Sequence, residues 1–476
     1  SSFMNNISLP KIHSTNYNKN ECEIGVVHVG FGAFHRAHQA VYMDDYMSQT
    51  NDLCWGIAAV NLRESETAHF EKTVQEIKAN GGYLIKSYSS DGHDSVRMVR
   101  SHIGFYDWTT DIENTQNLLA VETVHLVTIT VTESGYYTNA YGQLDINEPT
   151  IIDEINNSNL KTIYGYLRNA INKRITAHGK PITIACCDNI RQNGLMLKQN
   201  LISYLKACGD QLVLDWVQKN AYFPCSMVDR ITPQTSILLQ EELSSLIGHE
   251  IYSPIMAEDF SQWVLQDISL GTLPALDIVG VTITKDIDPY EETKIRVLNG
   301  GHTALTYMAA LEKMITFDEA MRSHQLLEHF RCFQVNEVLP ALLLDVPFSK
   351  NDYLAKIEER FCNKAIGDTI SRICADGMAK FPIFIRPTLE GCLQQGIVPH
   401  FSIKSIASWH QFCLHVAAGK IDFKYVEPSW AFLETIIGTD EFITCQQLWS
   451  DIPNKYPDFT INLRNEIFEM EKKWPV

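Results

Sequence analysis

Lys294, Asn299 and His302 fall within the nine residues Lys294-Ile295-Arg296-Val297-Leu298-Asn299-Gly300-Gly301-His302. On a helix turning about 100° per residue, Asn299 lies about 140° from Lys294 and His302 about 80°, so all three share one half of the cylinder. An amine, an amide and an imidazole on one face can take a proton, hold an oxygen and orient a polar ligand. Gly300-Gly301 would cost roughly 1 kcal/mol each relative to alanine inside a helix, which fits a place where another backbone or a ligand comes close. Taken alone, the plainer reading is preferred: a surface lysine, a helix asparagine and a core histidine.

A second candidate is Gly30-Phe31-Gly32-Ala33-Phe34-His35-Arg36, which follows the apolar run at 24–29 and opens a stretch of helical spacing. That is the context a dinucleotide fingerprint requires. Gly30 would permit the tight turn, and Gly32 would let a pyrophosphate approach the backbone at a helix N-terminus. His35 stands where the third glycine of G-x-G-x-x-G is expected. Phe34 belongs to the same cofactor stretch, and Arg36 can pair with a phosphate or with a surface carboxylate. A strand–turn–helix that merely needs two glycines is the alternative.

Glu64 and Glu66 follow the next apolar run, 55–60. A carboxylate there accepts the ribose hydroxyls of NAD and repels the extra phosphate of NADP. Both lie farther from the glycines than the usual ~20 residues, which implies an insertion or a longer first helix. Arg63 could instead welcome a phosphate, and a solvated charge cluster reads equally well. NAD is the expected cofactor, with NADP less favoured. Cys187-Asp188-Asn189 ends another strand candidate at 181–186, and ligand sites in open α/β sheets lie at strand carboxyl ends. Asn189 can donate through its amide and Asp188 can orient a neighbour; an Asx turn explains the pair as well.

The elements that must position these residues follow from pattern. With 476 residues the chain suggests two or three domains. Apolar runs at 24–29, 55–60, 123–131 and 181–186 alternate with helical spacing at 33–47 and 162–171, which predicts a parallel sheet covered on both faces. From 291 onward amphipathic stretches dominate, at 291–314, 317–338, 352–361, 368–379 and 403–418. The fold class is α/β: a Rossmann-type N-terminal domain over 1–285, then a mostly α-helical C-terminal domain over 286–476. Residues 1–20 are polar and are expected to be a loose arm, with 1–3 a cloning remnant.

The 39 Lys+Arg against 57 Asp+Glu give a formal charge of −18. That speaks against nucleic acid and an anionic membrane as partners. No apolar run is long enough to span a bilayer and no secretory signal is expected. The twelve cysteines contain no C-x-x-C pair and read as free thiols in a reducing, cytoplasmic compartment, with no zinc site.

Read together, six segments resemble the polyol-specific long-chain dehydrogenase/reductase family, the mannitol dehydrogenase family. They are residues 30–40, 130–136, 187–189 with Asn193-Gly194, 227–233, 294–302 and 376–382, in the family's order. The resemblance implies a zinc-independent, NAD(P)-dependent oxidation of a secondary alcohol to a ketone. D-mannitol and D-fructose are the first pair it suggests. Met378-Ala379 departs from the mannitol pattern, and residues 188–193 and 223–227 look more like a D-fructuronate reductase, with Arg191 a candidate carboxylate partner; D-arabinitol is the third alternative. It assigns Lys294 as general acid/base, Asn189 and Asn299 as partners of the reacting oxygen, and His302 as a substrate contact. Glu133 would pass the proton towards solvent. Asp229, Arg372 and Lys380 match substrate-pocket positions. A monomer without metal is implied. A lysine takes a proton only when neutral, so its pKa must come down from about 10.4 towards ~7–8. Two amide donors on the developing alkoxide are worth ~3 kcal/mol each. A non-catalytic NAD-binding protein is the reading from another class, and the complete lysine, asparagine and histidine set speaks against it.

Overall fold

Short apolar strands with no polar face need cover on both sides, and the first half of the chain is built around that need. The computed structural model describes residues 11–139, 141–268 and 272–476. The chain divides after Asp288 into two compact units. In the first, six strands form one parallel sheet: β1 (Ile24–Val29), β2 (Gly56–Asn61), β3 (His102–Asp107), β4 (Leu126–Ile129), β5 (Ile182–Cys186) and β6 (Ala221–Tyr222). Their order across the sheet is β3-β2-β1-β4-β5-β6, with every neighbouring pair parallel. This is the dinucleotide-binding Rossmann order, and it reverses direction between β1 and β4.

Side chains alternate between the two faces. Val27, Val29, Val127, Ile129 and Ile184 enter one core, beneath helices Ile163–Ala177 and Asn193–Cys208. Val26, Ile57, Leu126 and Ala185 enter the other, beneath helix Gln39–Thr50. The apolar runs are accurate guides because both faces are buried.

Three features depart from the sequence-based expectation. The helix expected over 33–47 breaks at His38 (φ −120°, ψ −94°) into Ala33–Ala37 and Gln39–Thr50, with His38 Nε2 2.7 Å from the Gln262 carbonyl. Two further sheets flank the main one: Ile12–Ser14, Asp94–Val99, Tyr83–Tyr88 and Ile255–Glu258 in the first, and Ser226–Asp229, Gln262–Gln266 and Thr282–Thr284 in the second. The polar arm is thus partly an edge strand, since Ile12–Ser14 pairs in parallel with residues 96–98; its first ten residues lie outside the described ones.

His35 replaces the third glycine for a visible reason. That glycine ordinarily lets helix and strand pack closely. Here the imidazole of His35 lies flat on that of His28 from β1, with ring centroids 3.3 Å apart. His35 also meets His102 Nε2 at 2.9 Å and Gln39 at 3.1 Å, while His28 bonds Thr128 and Thr130. A flat ring pair does the spacing that a missing side chain does elsewhere.

The second unit is helical. Helix Gly300–Leu311 is buried on nearly all sides and packs against His400–Ala417, Ile370–Cys374 and His324–Phe333. A helix apolar all round belongs in a core. Among the described residues no helix is long and apolar enough to cross a membrane.

The histidine stack should make the first unit acid-labile. Burial pushes His35 down to about 3, and His28 and His102 well below the ordinary 6.5. Below pH 6.5 the unfolded chain takes up protons that the folded chain refuses, so stability is full above that pH and falls on acidification. The slope approaches about 1.4 kcal/mol per pH unit for each histidine. Urea titrations at about pH 7 and about pH 5 should show a larger loss in the wild type than in His102→Gln. Equal losses would acquit the stack.

Candidate active site

The reversal of strand order leaves a crevice beyond the carboxyl ends of β1 and β4. Gly30 turns there with φ +93°, and a Cβ on it would lie 2.0 Å from the Thr130 carbonyl oxygen, so no larger residue fits. A Cβ on Gly32 would meet nothing within 4 Å: it faces open space. Helix Ala33–Ala37 starts at Gly32 without a side-chain cap. A cavity of about 650 Å³ opens at this point, lined by Gly30, Phe31, Gly32, Arg63, Glu66 and Thr132 among others. The bare cradle at Gly32 fits a pyrophosphate, and Glu66 fits a ribose diol.

The other cofactor candidates lie differently. Arg36 lines the cavity but is not on the surface and pairs with no carboxylate there. Its fork donates to the hydroxyl and carbonyl of Ser253, both at 2.8 Å, and its guanidinium lies 4.4 Å from the Tyr83 ring centre. Burial lowers it to about 10, so it remains a cation at neutral pH. Phe34 stacks on His38 at 5.0 Å and is not among the lining residues; Phe31, between the two glycines, is. Glu64 is exposed and also outside the lining. Asn61, missed in the sequence, ends β2 and ties the turn by donating to the Arg63 carbonyl and to Asp107.

Glu133 stands exposed at the start of the 3-10 turn Glu133–Tyr136 after β4, and Asn189 stands exposed after β5. Asp229 is buried at the end of strand Ser226–Asp229. Cys186 and Cys187 are buried thiols; burial raises Cys187 to about 12 and Cys186 well above its usual value, so neither is a ready nucleophile. No group of three His, Cys, Asp or Glu side chains able to hold a metal occurs among the described residues.

In the second unit the helix expected over 291–314 is not uniform. Lys294, 4% exposed, ends helix Asp288–Lys294; residues Ile295–Asn299 form a π turn; Gly300–Leu311 continues as α-helix. This corrects the angular estimate. A π turn closes its hydrogen bonds between residues five apart, so Asn299 is rotated closer to Lys294 than the about 140° of a regular helix. The widening has identifiable supports. Gln334 Nε2 donates to the Val297 carbonyl at 2.8 Å. The turn packs against two further π turns, Gln334–Val338 and Phe381–Ile385. Pro340 and Pro387 follow those two and offer no N–H to the carbonyl four residues back. Gly300 and Gly301 are where other groups come close: a Cβ on Gly300 would sit 3.0 Å from the Phe384 carbonyl, and one on Gly301 2.7 Å from Gln334 Nε2 and 2.9 Å from the Phe330 ring.

Asn299 is half-buried, and its amide oxygen has no hydrogen-bond partner. His302 stacks on Phe361 at 4.1 Å with Phe317 edge-on at 4.7 Å. Burial, aided by Arg372, Lys380 and Arg360 and opposed by Asp368, pushes it down to about 3, so the imidazole is neutral. The Arg372 fork grips Asp368 at 2.7 and 2.5 Å; burial alone would raise that carboxyl, but the guanidinium holds it below its usual range. Asp368 was legible in principle, four residues before Arg372 in a helical pattern. Lys380 Nζ donates to the Ile373 carbonyl at 2.8 Å. Met378 is buried, and its N–H is held by Glu427.

Residues 24–278 match the mannitol dehydrogenase Rossmann domain, and residues 286–457 match the mannitol dehydrogenase C-terminal domain. The chain belongs to the mannitol dehydrogenase family. Mannitol 2-dehydrogenase of Cereibacter sphaeroides is 33% identical over 420 residues, covering 88% of this chain and 87% of that one. D-arabinitol 4-dehydrogenase of Klebsiella pneumoniae is 32% identical over 403 residues, covering 84% and 86%. The Pseudomonas fluorescens mannitol 2-dehydrogenase ternary complex with NAD and D-mannitol superposes with a TM-score of 0.88 at 27% identity, over 98% of this chain and 95% of that one. This member of the mannitol dehydrogenase family is a polyol dehydrogenase, with a Rossmann-type N-terminal domain and a helical C-terminal domain.

The glycine pair gives a direct test of the π turn. Gly301→Ala gains about 1 kcal/mol of helix propensity but drives a methyl into Gln334 and Phe330, at a cost of about 1–3 kcal/mol in overpacking alone. Displacing Gln334 also strips the Val297 carbonyl. The variant should melt at least about 2 °C lower than wild type and turn over more slowly. A melting point at or above wild type would show that the close contacts are not structural.

Proposed function

We propose that this polyol dehydrogenase is NAD-dependent and metal-independent, that Lys294 is its acid/base, and that D-mannitol and D-fructose are its substrate pair. The observation that carries this is the placement, one π turn apart, of a buried lysine and a half-buried asparagine. Bound NAD would supply the acceptor for the hydride that leaves the carbinol carbon. Lys294, uncharged, takes the hydroxyl proton as the hydride departs. The Asn299 and Asn189 amides donate to the oxygen as it gains negative charge, which is where fixed dipoles lower the barrier most. His302, held neutral, meets a substrate hydroxyl with one ring nitrogen, which donates or accepts according to the tautomer. Glu133, exposed at its turn, passes the proton onward to solvent. Arg372, Lys380 and Asp229 contact the rest of the polyol. Glu66 beside the cradle favours NAD over NADP by repelling a second phosphate, while Arg63 on the same cavity works the other way. The unpaired thiols support a cytoplasmic setting, and the working unit is a monomer.

D-fructose, D-fructuronate and D-arabinitol divide the alternatives within the family. The first two are offered with NADH or NADPH, the third with NAD, each at equal concentration, and absorbance of the reduced cofactor is followed. Fructose turned over fastest, and with NADH, supports the proposal. Faster fructuronate reduction would replace it with a sugar-acid reductase in which Arg191, Arg372 and Lys380 meet a carboxylate. Faster arabinitol oxidation would move the reaction to a pentitol.

A further inference from the structure

One carboxylate outside the assigned set controls the loop that carries Glu133. Asp188 follows β5, and its side chain reaches across to the loop after β4. Oδ2 accepts from the Val131 N–H at 3.0 Å, Oδ1 from the Thr132 N–H at 3.2 Å, and Oδ2 again from the Tyr136 hydroxyl at 2.5 Å. Tyr136 is fully buried; the Cys186 thiol lies 3.0 Å from its hydroxyl, and its own carbonyl is held by Tyr164 at 2.6 Å. The three bonds therefore grip the loop on both sides of Glu133: two just before it, and one at the end of the same 3-10 turn.

The grip holds a conformation the loop would not choose. Thr132 sits at φ +65°, ψ 165°. A β-branched residue is a genuine outlier at positive φ, and such a residue costs about 1–3 kcal/mol that surrounding structure must over-determine. Here the N–H groups of Thr132 and of the residue before it are both tied to one carboxylate. Thr132 is what turns the chain so that the 3-10 turn begins at Glu133.

The backbone of Asp188 is anchored separately. Asn193 Nδ2 donates to the Asp188 carbonyl at 3.1 Å and to the Ser226 carbonyl at 2.8 Å, while the Ser226 N–H returns a bond to Asn193. Changing the Asp188 side chain thus releases the loop of Glu133 while leaving the chain that bears Asn189 in place.

We propose that Asp188 is a positioning residue that fixes Glu133 through the Val131 and Thr132 amides and the Tyr136 hydroxyl. This rests on the assignment of Glu133 as the group that moves the proton to solvent. Asp188→Asn keeps the size of the side chain but points an amide donor at one of three donors, so the grip fails. Tyr136→Phe removes one bond of the three, keeps the buried ring, and remains usable if Asp188→Asn folds poorly.

The test is a double-mutant cycle with Glu133→Gln on the full-length enzyme, using the substrate it turns over fastest. Asp188→Asn should lower kcat by about 10-fold or more, Tyr136→Phe by less, with the NADH dissociation constant changed under 2-fold. In the Glu133→Gln background either substitution should cost little further, since residues acting through one group are non-additive. If Glu133→Gln lowers kcat and Asp188→Asn multiplies the full loss on top of it, the positioning role is wrong and the relay stands. If Glu133→Gln alone leaves kcat unchanged, the relay assignment fails and the positioning role falls with it.

Discussion

A lysine can take a proton only while it is uncharged, and it stays uncharged near neutral pH only where water is kept from it. Lys294, the proposed acid/base, is 4% exposed inside the helical unit, and the proposed mechanism adds a second demand: the amide that serves the same oxygen has to stand near it. A regular helix would set Asn299 about 140° round from it. The π turn narrows that angle, and the neighbouring helices hold it. Gln334 satisfies the Val297 carbonyl, two more π turns pack against it, and Gly300-Gly301 clear the space they need. π turns occur mostly as single turns inside α-helices and are frequent at functional sites.

Charge is arranged with comparable economy. The chain is strongly acidic, yet the groups acting on His302 in the helical unit are Asp368, Arg372, Lys380 and Arg360. Their net effect, with burial, is a neutral imidazole. Asp368 is spent on Arg372, which fixes the direction of the guanidinium. In the first unit the same logic is applied through aromatic stacking: neutral imidazoles fill the space between β1 and the helix that opens on the cofactor cavity.

The sequence is informative where burial is symmetric and local. The runs at β1, β2 and β5 announce strands because both faces are covered, and Gly30 announces a turn because only glycine avoids the Thr130 carbonyl. It is silent where a distant partner decides. Nothing near Lys294 reveals that Gln334 will open the helix, and the amphipathic spacing of 291–314 reads as one regular cylinder. Arg36 looks like a surface cation until Ser253, some two hundred residues away, takes its fork. The motif places the third glycine where His35 stands, and only the partner ring on β1 explains it. Asp188 carries no local sign that it will bind the loop after β4.

In the proposed mechanism the Lys294 amine moves the proton. Lys294→Ala assayed with and without added methylamine tests it most directly. A loss in kcat of at least about 100-fold is expected, with NADH binding retained and turnover partly restored as the free amine is added. Wild-type turnover in the variant, with no response to amine, would mean that another group takes the proton and that the lysine is buried for packing alone.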